Sequence, residues 1–162
     1  LDLGTTVLQV AKHLEGKKRL SAISCSLPVI NELEKYPDIT VFSVGGELKR
    51  DNHAFLGIET EREISKYCAD IAFIGVAGIS LEFGLTNFYH QTATLCSRII
   101  KQSKKVVLLA DSSKFGKAKP AVVGALSEID AIITDDGIPE LYLKTFQDLG
   151  IEVIQVKNDK ID

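Results

Sequence analysis

The sequence contains no methionine and no tryptophan, has only four prolines, three cysteines and three histidines, and draws 7% of its 162 residues from the aromatics. Each shortage excludes something. Cys25, Cys68 and Cys96 are odd in number, widely spaced and free of any CxxC pair. Neither a disulfide framework nor a zinc site is therefore expected, and the thiols read as reduced, in a cytoplasmic setting. His13, His53 and His90 stand without partners at metal-ligand spacing, so no metal is expected, and nothing implies a cofactor. No apolar run approaches the roughly 18 residues that cross a bilayer, and the first residues lack the basic-then-apolar pattern of a secretory leader. No membrane partner is expected. An excess of positive charge is missing too: 19 Lys and Arg against 22 Asp and Glu give a net charge of −3 at pH 7. A nucleic-acid surface would normally be basic, so none is expected on this chain itself. With no starting methionine, and a first residue that reads as lying inside a strand, the sequence is expected to be a piece of a longer chain.

What is present is an alternation. The composition, 45% hydrophobic and 25% charged, is ordinary for an α/β domain. "VLQVAKHL" (7–14) carries its apolar residues on one helical face. "RLSAISC" reads as a strand, and "SLPVINELEKY" as a helix with Ser26 at its N-cap and Pro28 in its first turn. "DITVFSVGG" is a strand, "ETEREISKYC" a helix, "DIAFIGVAG" a buried strand and "HQTATLCSRIIKQS" a longer helix. "KKVVLLAD" is almost wholly apolar, as a strand covered on both faces must be. "IDAIIT", "IPELYLKTFQDLG" and "IEVIQV" close the series as strand, helix, strand, with Asp136 expected to cap the last helix. The stretches 49–55 and 83–90 read as surface loops. The order predicts βαβ units and a mostly parallel sheet flanked by helices, one domain over residues 1–157 with a frayed tail at 158–162.

In open α/β sheets ligands lie beyond the carboxyl ends of the strands, and there the unusual residues collect. "DLGTT" places Asp2, Gly4, Thr5 and Thr6 at a turn into a helix, where backbone amides grip an anion, or where a threonine simply caps the helix. Ser24, Cys25 and Ser26 follow the second strand. Gly45 and Gly46 follow the third, either for close approach to a sugar or merely to turn the chain, and Lys49 and Arg50 come next as binding or as solubilising charges. Gly75 and Gly78 follow the fourth. After the fifth, "DSSKFGK" offers Ser112, Ser113 and Lys114, whose ammonium neutralises a phosphate or sits in a solvated turn.

These motifs, in this order and spacing, resemble the C-terminal effector-sensing domain of DeoR-type bacterial transcriptional repressors over nearly the whole chain. The carrying stretches are "DLGTT" (2–6), "SCSLPVINEL" (24–33), "VGGELKR" (44–50), "FLGIETE" (55–61), "ADIAFIGVAGIS" (69–80), "FGLTN" (83–87) and "LLADSSKFGK" (108–117). The resemblance implies a fold related to ribose-5-phosphate isomerase and CoA-transferases, a phosphorylated-sugar effector, homo-oligomers, and operator DNA bound only through an upstream winged helix-turn-helix absent from this chain. It also implies that Asp2, Gly4, Thr5 and Thr6 form a phosphate and hydroxyl cradle, bordered by Ser24, Cys25 and Ser26 and faced by Lys114. The family usually has Asn where this chain has Cys25, which removes two donors and an acceptor. The alternative is an active sugar-phosphate isomerase. That chemistry needs a carboxylate base beside the sugar, yet no acid stands between Gly75 and Leu81, and Gln91 and Thr92 open the following helix where one is wanted. The expectation is a sensor and not an enzyme.

Overall fold

The computed structural model describes residues 1–157; the tail expected at 158–162 lies outside them. The apolar run at the centre of the sequence becomes the centre of the fold. Strand β8 (Val106–Leu109) is buried at every position, because neighbours flank it and helices cover it. It pairs in parallel with β5 (Ala72–Gly75) on one side and β10 (Ala131–Asp135) on the other, and β11 (Glu152–Val156) completes a parallel sheet of order β11-β10-β8-β5. Strands β1 (Leu20–Ser24) and β2 (Ile39–Ser43) form a second, two-stranded parallel sheet.

Residues 1–3 run between these sheets. The Leu1 nitrogen donates to the Ile23 carbonyl at 2.8 Å, and the Asp2 amide to the Phe73 carbonyl at 3.0 Å. The strand expected here does not form. The segment makes one such bond to each side before Gly4, at φ +120°, turns it into helix α1 (Thr5–Lys12). Val7 and Ala11 carry the inward face of α1 and are fully buried. Helix α2 (Leu27–Leu33) packs on α1, α3 (Ile58–Ile64) packs on α4 (His90–Lys101), and α5 (Glu140–Asp148) packs on β11. The largest core cluster gathers Leu95, Cys96 and Ile99 of α4 with Ile74, Leu108 and Phe146.

The two stretches expected as loops each include strand residues. Residues 47–56 form a hairpin of β3 (Glu47–Lys49) and β4 (Ala54–Leu56) around a 3-10 turn at Arg50–Asn52. Strands β6 (Gly78–Ser80), β7 (Gly84–Asn87) and β9 (Ala121–Gly124) make a three-stranded antiparallel sheet. Strands of three or four residues are too short to show an alternation, and β7 takes β9, distant in sequence, as a partner. Two caps also differ. Ser26 occupies the N-cap of α2 but its side chain caps nothing; the Leu27 amide instead donates to the His53 carbonyl at 2.9 Å. Pro139, not Asp136, precedes α5.

Candidate functional site

The carboxyl ends of β5 and β8 and the start of α1 enclose a cavity of about 290 Å3. Its wall includes Asp2, Gly4, Thr5, Thr6, Gly75 and Lys114. The conformation of Gly4 is what opens the helix end toward it. No side chain caps α1, so the amides of its first turn have no acceptor inside the helix and carry its positive end. Such an end is an anion site. Lys114 adds a full positive charge to the same wall.

Lys114 is held there by a loop whose carboxylates are already committed. It closes the 3-10 turn Ser112–Lys114, whose N-cap, Asp111, accepts from the Ser113 amide at 2.9 Å. Hydrogen bonding from Ser113, its hydroxyl ahead of its amide, holds the Asp111 carboxyl below its ordinary range. Asp135 accepts from the Ser112 and Gly137 amides, each at 2.8 Å, and the Ser112 bond leads in lowering its pKa as well. Asp111 Oδ2 lies 3.9 Å from the Lys114 ammonium. The serines expected to donate to a ligand thus have their backbone amides spent on organising the turn.

Asp2 is only 2% exposed. One of its oxygens accepts from the Gly75 amide at 3.3 Å and the other has no partner. Burial pushes its pKa up to about 6. Burial likewise pushes the Cys25 thiol up to about 12 and raises Cys96, so both are protonated and unreactive near neutrality.

Of the residues expected to bind, Asp2, Gly4, Thr5, Thr6, Gly75 and Lys114 share this cavity. Ser24, Cys25, Ser26, Gly45, Gly46 and Gly78 are not on its wall. Ser24, Cys25 and Ser26 are buried to 1–2% exposure, and the Ser24 hydroxyl is used by the Ser26 amide. Gly45 accepts from the Thr60 hydroxyl at 2.9 Å, and Gly46, at φ +144°, backs onto Thr60 with no room for a Cβ. Gly78 packs against the Lys117 backbone in the same way. These glycines serve chain packing. The wall also holds residues that the sequence reading passed over: Asn52, Asn87, Phe88, Tyr89 and Thr92. Asn87 accepts from the Ala77 amide at 2.9 Å, which fixes the rim. The available signal for Asn87, Phe88, Tyr89 and Thr92 was "NFYHQT", a polar and aromatic run between a strand and a helix.

Lys49 lies elsewhere. It lines a second hollow of about 490 Å3 with Arg50, Asp51 and Gln91, and this hollow shares Asn52 and Tyr89 with the first. Among the described residues no cluster of His, Cys, Asp or Glu suits a metal ion, and no helix is long and apolar enough to cross a membrane.

Residues 1–136 match the family model described as the DeoR C terminal sensor domain. The chain is 31% identical over 156 residues to a putative aga operon transcriptional repressor of Escherichia coli O157:H7, covering 96% of this chain and 58% of that protein. It is 34% identical over 153 residues to the HTH-type transcriptional regulator GolR of Listeria innocua, covering 94% and 60%. It is 29% identical over 153 residues to the deoxyribose operon repressor of Escherichia coli K12, covering 94% and 61%. The chain thus spans about three fifths of the length of these relatives.

Proposed function

Because the chain belongs to the DeoR C-terminal sensor domain family, we propose that it senses a phosphorylated sugar and thereby modulates DNA binding by an N-terminal domain of the same protein. The observation that carries this is the meeting of an uncapped helix end and a lysine in one cavity. The α1 amides and Lys114 take the phosphate, and Asn52, Asn87 and Thr92 offer polar groups to the sugar. Residues 1–157 act as one sensor domain with the isomerase and CoA-transferase kind of fold, in a cytoplasmic homo-oligomeric repressor that meets operator DNA only through its N-terminal domain. No cofactor enters this activity.

Sensing is favoured over isomerisation by the state of the nearby acids. Asp111 is committed to Ser113, Asp2 is almost wholly enclosed, and Gln91 and Thr92 occupy the positions where an acid would act. A general base must reach the proton it removes; Asp2 is enclosed, and the half-exposed Asp111 has its basicity lowered, first by hydrogen bonding to Ser113 and further by the Lys114 ammonium 3.9 Å away.

Calorimetric titration and thermal shift with sugar phosphates and their unphosphorylated parents test the reading. Phosphate esters stabilise the domain, by about 2.7 kcal/mol at a hundred times the dissociation constant, and the free sugars do not. Equal stabilisation by both, or turnover of ribose 5-phosphate at about 1 per second or faster, refutes it.

A further inference from the structure

The two hollows adjoin at a waist, because Asn52 and Tyr89 belong to the walls of both. The phosphate cradle lies in the smaller chamber. The outer one is larger, and a ligand confined to the cradle leaves it filled with water. Resting on the phosphate reading above, we propose that the effector carries a second anionic group, a phosphate or carboxylate, which the outer chamber holds against Arg50 while the carbon skeleton crosses the waist over Tyr89.

The charges of the outer chamber are Lys49, Arg50 and Asp51. Lys49 is engaged by Glu47 at 2.8 Å, whereas Arg50 is exposed and has no ion-pair partner among the described residues. A guanidinium meets phosphate or carboxylate with two parallel hydrogen bonds. Its backbone is fixed by the 3-10 turn, whose His53 amide donates to the Arg50 carbonyl at 3.1 Å and whose exit residue, His53, sits at φ +48°. A non-glycine residue in that region persists only where the surroundings hold it. The turn therefore presents Arg50 and Asn52 to the outer chamber in a set geometry. At the waist, Tyr89 is 66% exposed. An exposed aromatic ring on the wall of a polar hollow suits a ligand with apolar faces and polar edges. Two anionic groups in adjoining chambers repel unless each is neutralised, and the two chambers provide one cationic centre for each: the α1 amides with Lys114, and Arg50.

The test begins with inorganic phosphate, followed by backbone amide resonances. Two separate sets of shifts are expected, one at Thr5 and Thr6 and one at Arg50 to Asn52. Arg50→Gln abolishes the second set and leaves the first, and Lys114→Ala does the reverse. Shifts confined to Thr5 and Thr6 overturn the second anionic site and leave the sensor reading standing. Shifts at the Arg50 turn alone, or nowhere, overturn both. Calorimetry then compares fructose 1,6-bisphosphate with fructose 6-phosphate. The bisphosphate should bind about ten- to hundredfold tighter, the factor expected of one added charge-assisted contact, and Arg50→Gln should erase that advantage while changing the monophosphate less than about twofold. An advantage that survives Arg50→Gln refutes the assignment of the outer chamber.

Discussion

Lys114→Ala separates a binding lysine from a merely solvated one. The side chain is 36% exposed and stands 3.9 Å from a half-exposed carboxylate, an arrangement worth about 0–1 kcal/mol to the fold. Loss of that pair should move the melting temperature by no more than about 4 °C in a domain of this size. The effect on phosphate is of another order. A hydrogen bond to a charged group contributes about 1.5–3 kcal/mol, and the substitution also leaves Asp111 unopposed on the cavity wall, where it repels the ligand. Affinity for inorganic phosphate and for sugar phosphates should therefore fall about ten- to hundredfold. Thr5→Ala, by contrast, removes a neutral hydroxyl and keeps the backbone amide, so its loss should be about 1 kcal/mol or less. Calorimetric titration of both variants beside the parent measures the difference. Salt provides a second handle, because the lysine contribution to an exposed anion site weakens as the screening length shortens. Parent-like binding by Lys114→Ala would refute the placement of the positive charge, and Arg50 would then be the cation to test.

Three further outcomes concern the fold around the site. Asp2 has its pKa raised from 3.8 to about 6 by burial, so the folded protein holds a proton that the unfolded chain releases between those values. Its ionisation costs nothing below pH 3.8 and about 3 kcal/mol once the pH has passed 6; Asp2→Asn should therefore stabilise the protein at pH 7 in denaturant titrations and lose that gain below pH 4. Thr134 on β10 is 3% exposed with its hydroxyl unpartnered, so Thr134→Val should raise stability by about 1–3 kcal/mol, and a loss of stability would show that the hydroxyl is satisfied. Gly4→Ala meets open space, yet its φ of +120° is one that L side chains rarely adopt; the variant should lose about 1–3 kcal/mol and bind phosphate more weakly, since relaxing the turn swings the α1 amides away.

How much of this was legible depended on whether a residue's role was written in its own neighbourhood. The apolar run of β8 and the one-faced pattern of α1 declare themselves locally, and the parallel sheet follows from the alternation of strands and helices. The turn at Gly4 and the lysine at 114 were likewise readable, because glycine before a threonine pair and lysine after a strand are chemical signatures on their own. Glycines were ambiguous: Gly46 and Gly78 yield to Thr60 and to the Lys117 backbone, and glycine chosen for packing reads the same as glycine chosen for a ligand. The Ser24–Cys25–Ser26 run lies behind the cavity wall and not on it, with all three side chains buried, a difference that local sequence does not encode. Asn52 and Tyr89 were invisible for a different reason. Asn52 lies in the turn of a local hairpin and Tyr89 follows a strand that pairs with the distant β9, and the approach of the two is a fact of topology only.

That topology gives the cavity a property that no single loop possesses. Its walls are drawn from the segment before α1, the β3–β4 turn, the β7–α4 junction and the loop after β8. No contiguous fragment of the chain contains them, so the cavity comes into being only when the last long-range pairings close. A ligand that binds there is linked to every partial opening that separates these pieces, fraying of the small antiparallel sheet as much as detachment of α1. Occupancy should slow amide exchange across the whole parallel sheet, far beyond the residues in contact, and make the domain behave as a more cooperative unit than it is when empty.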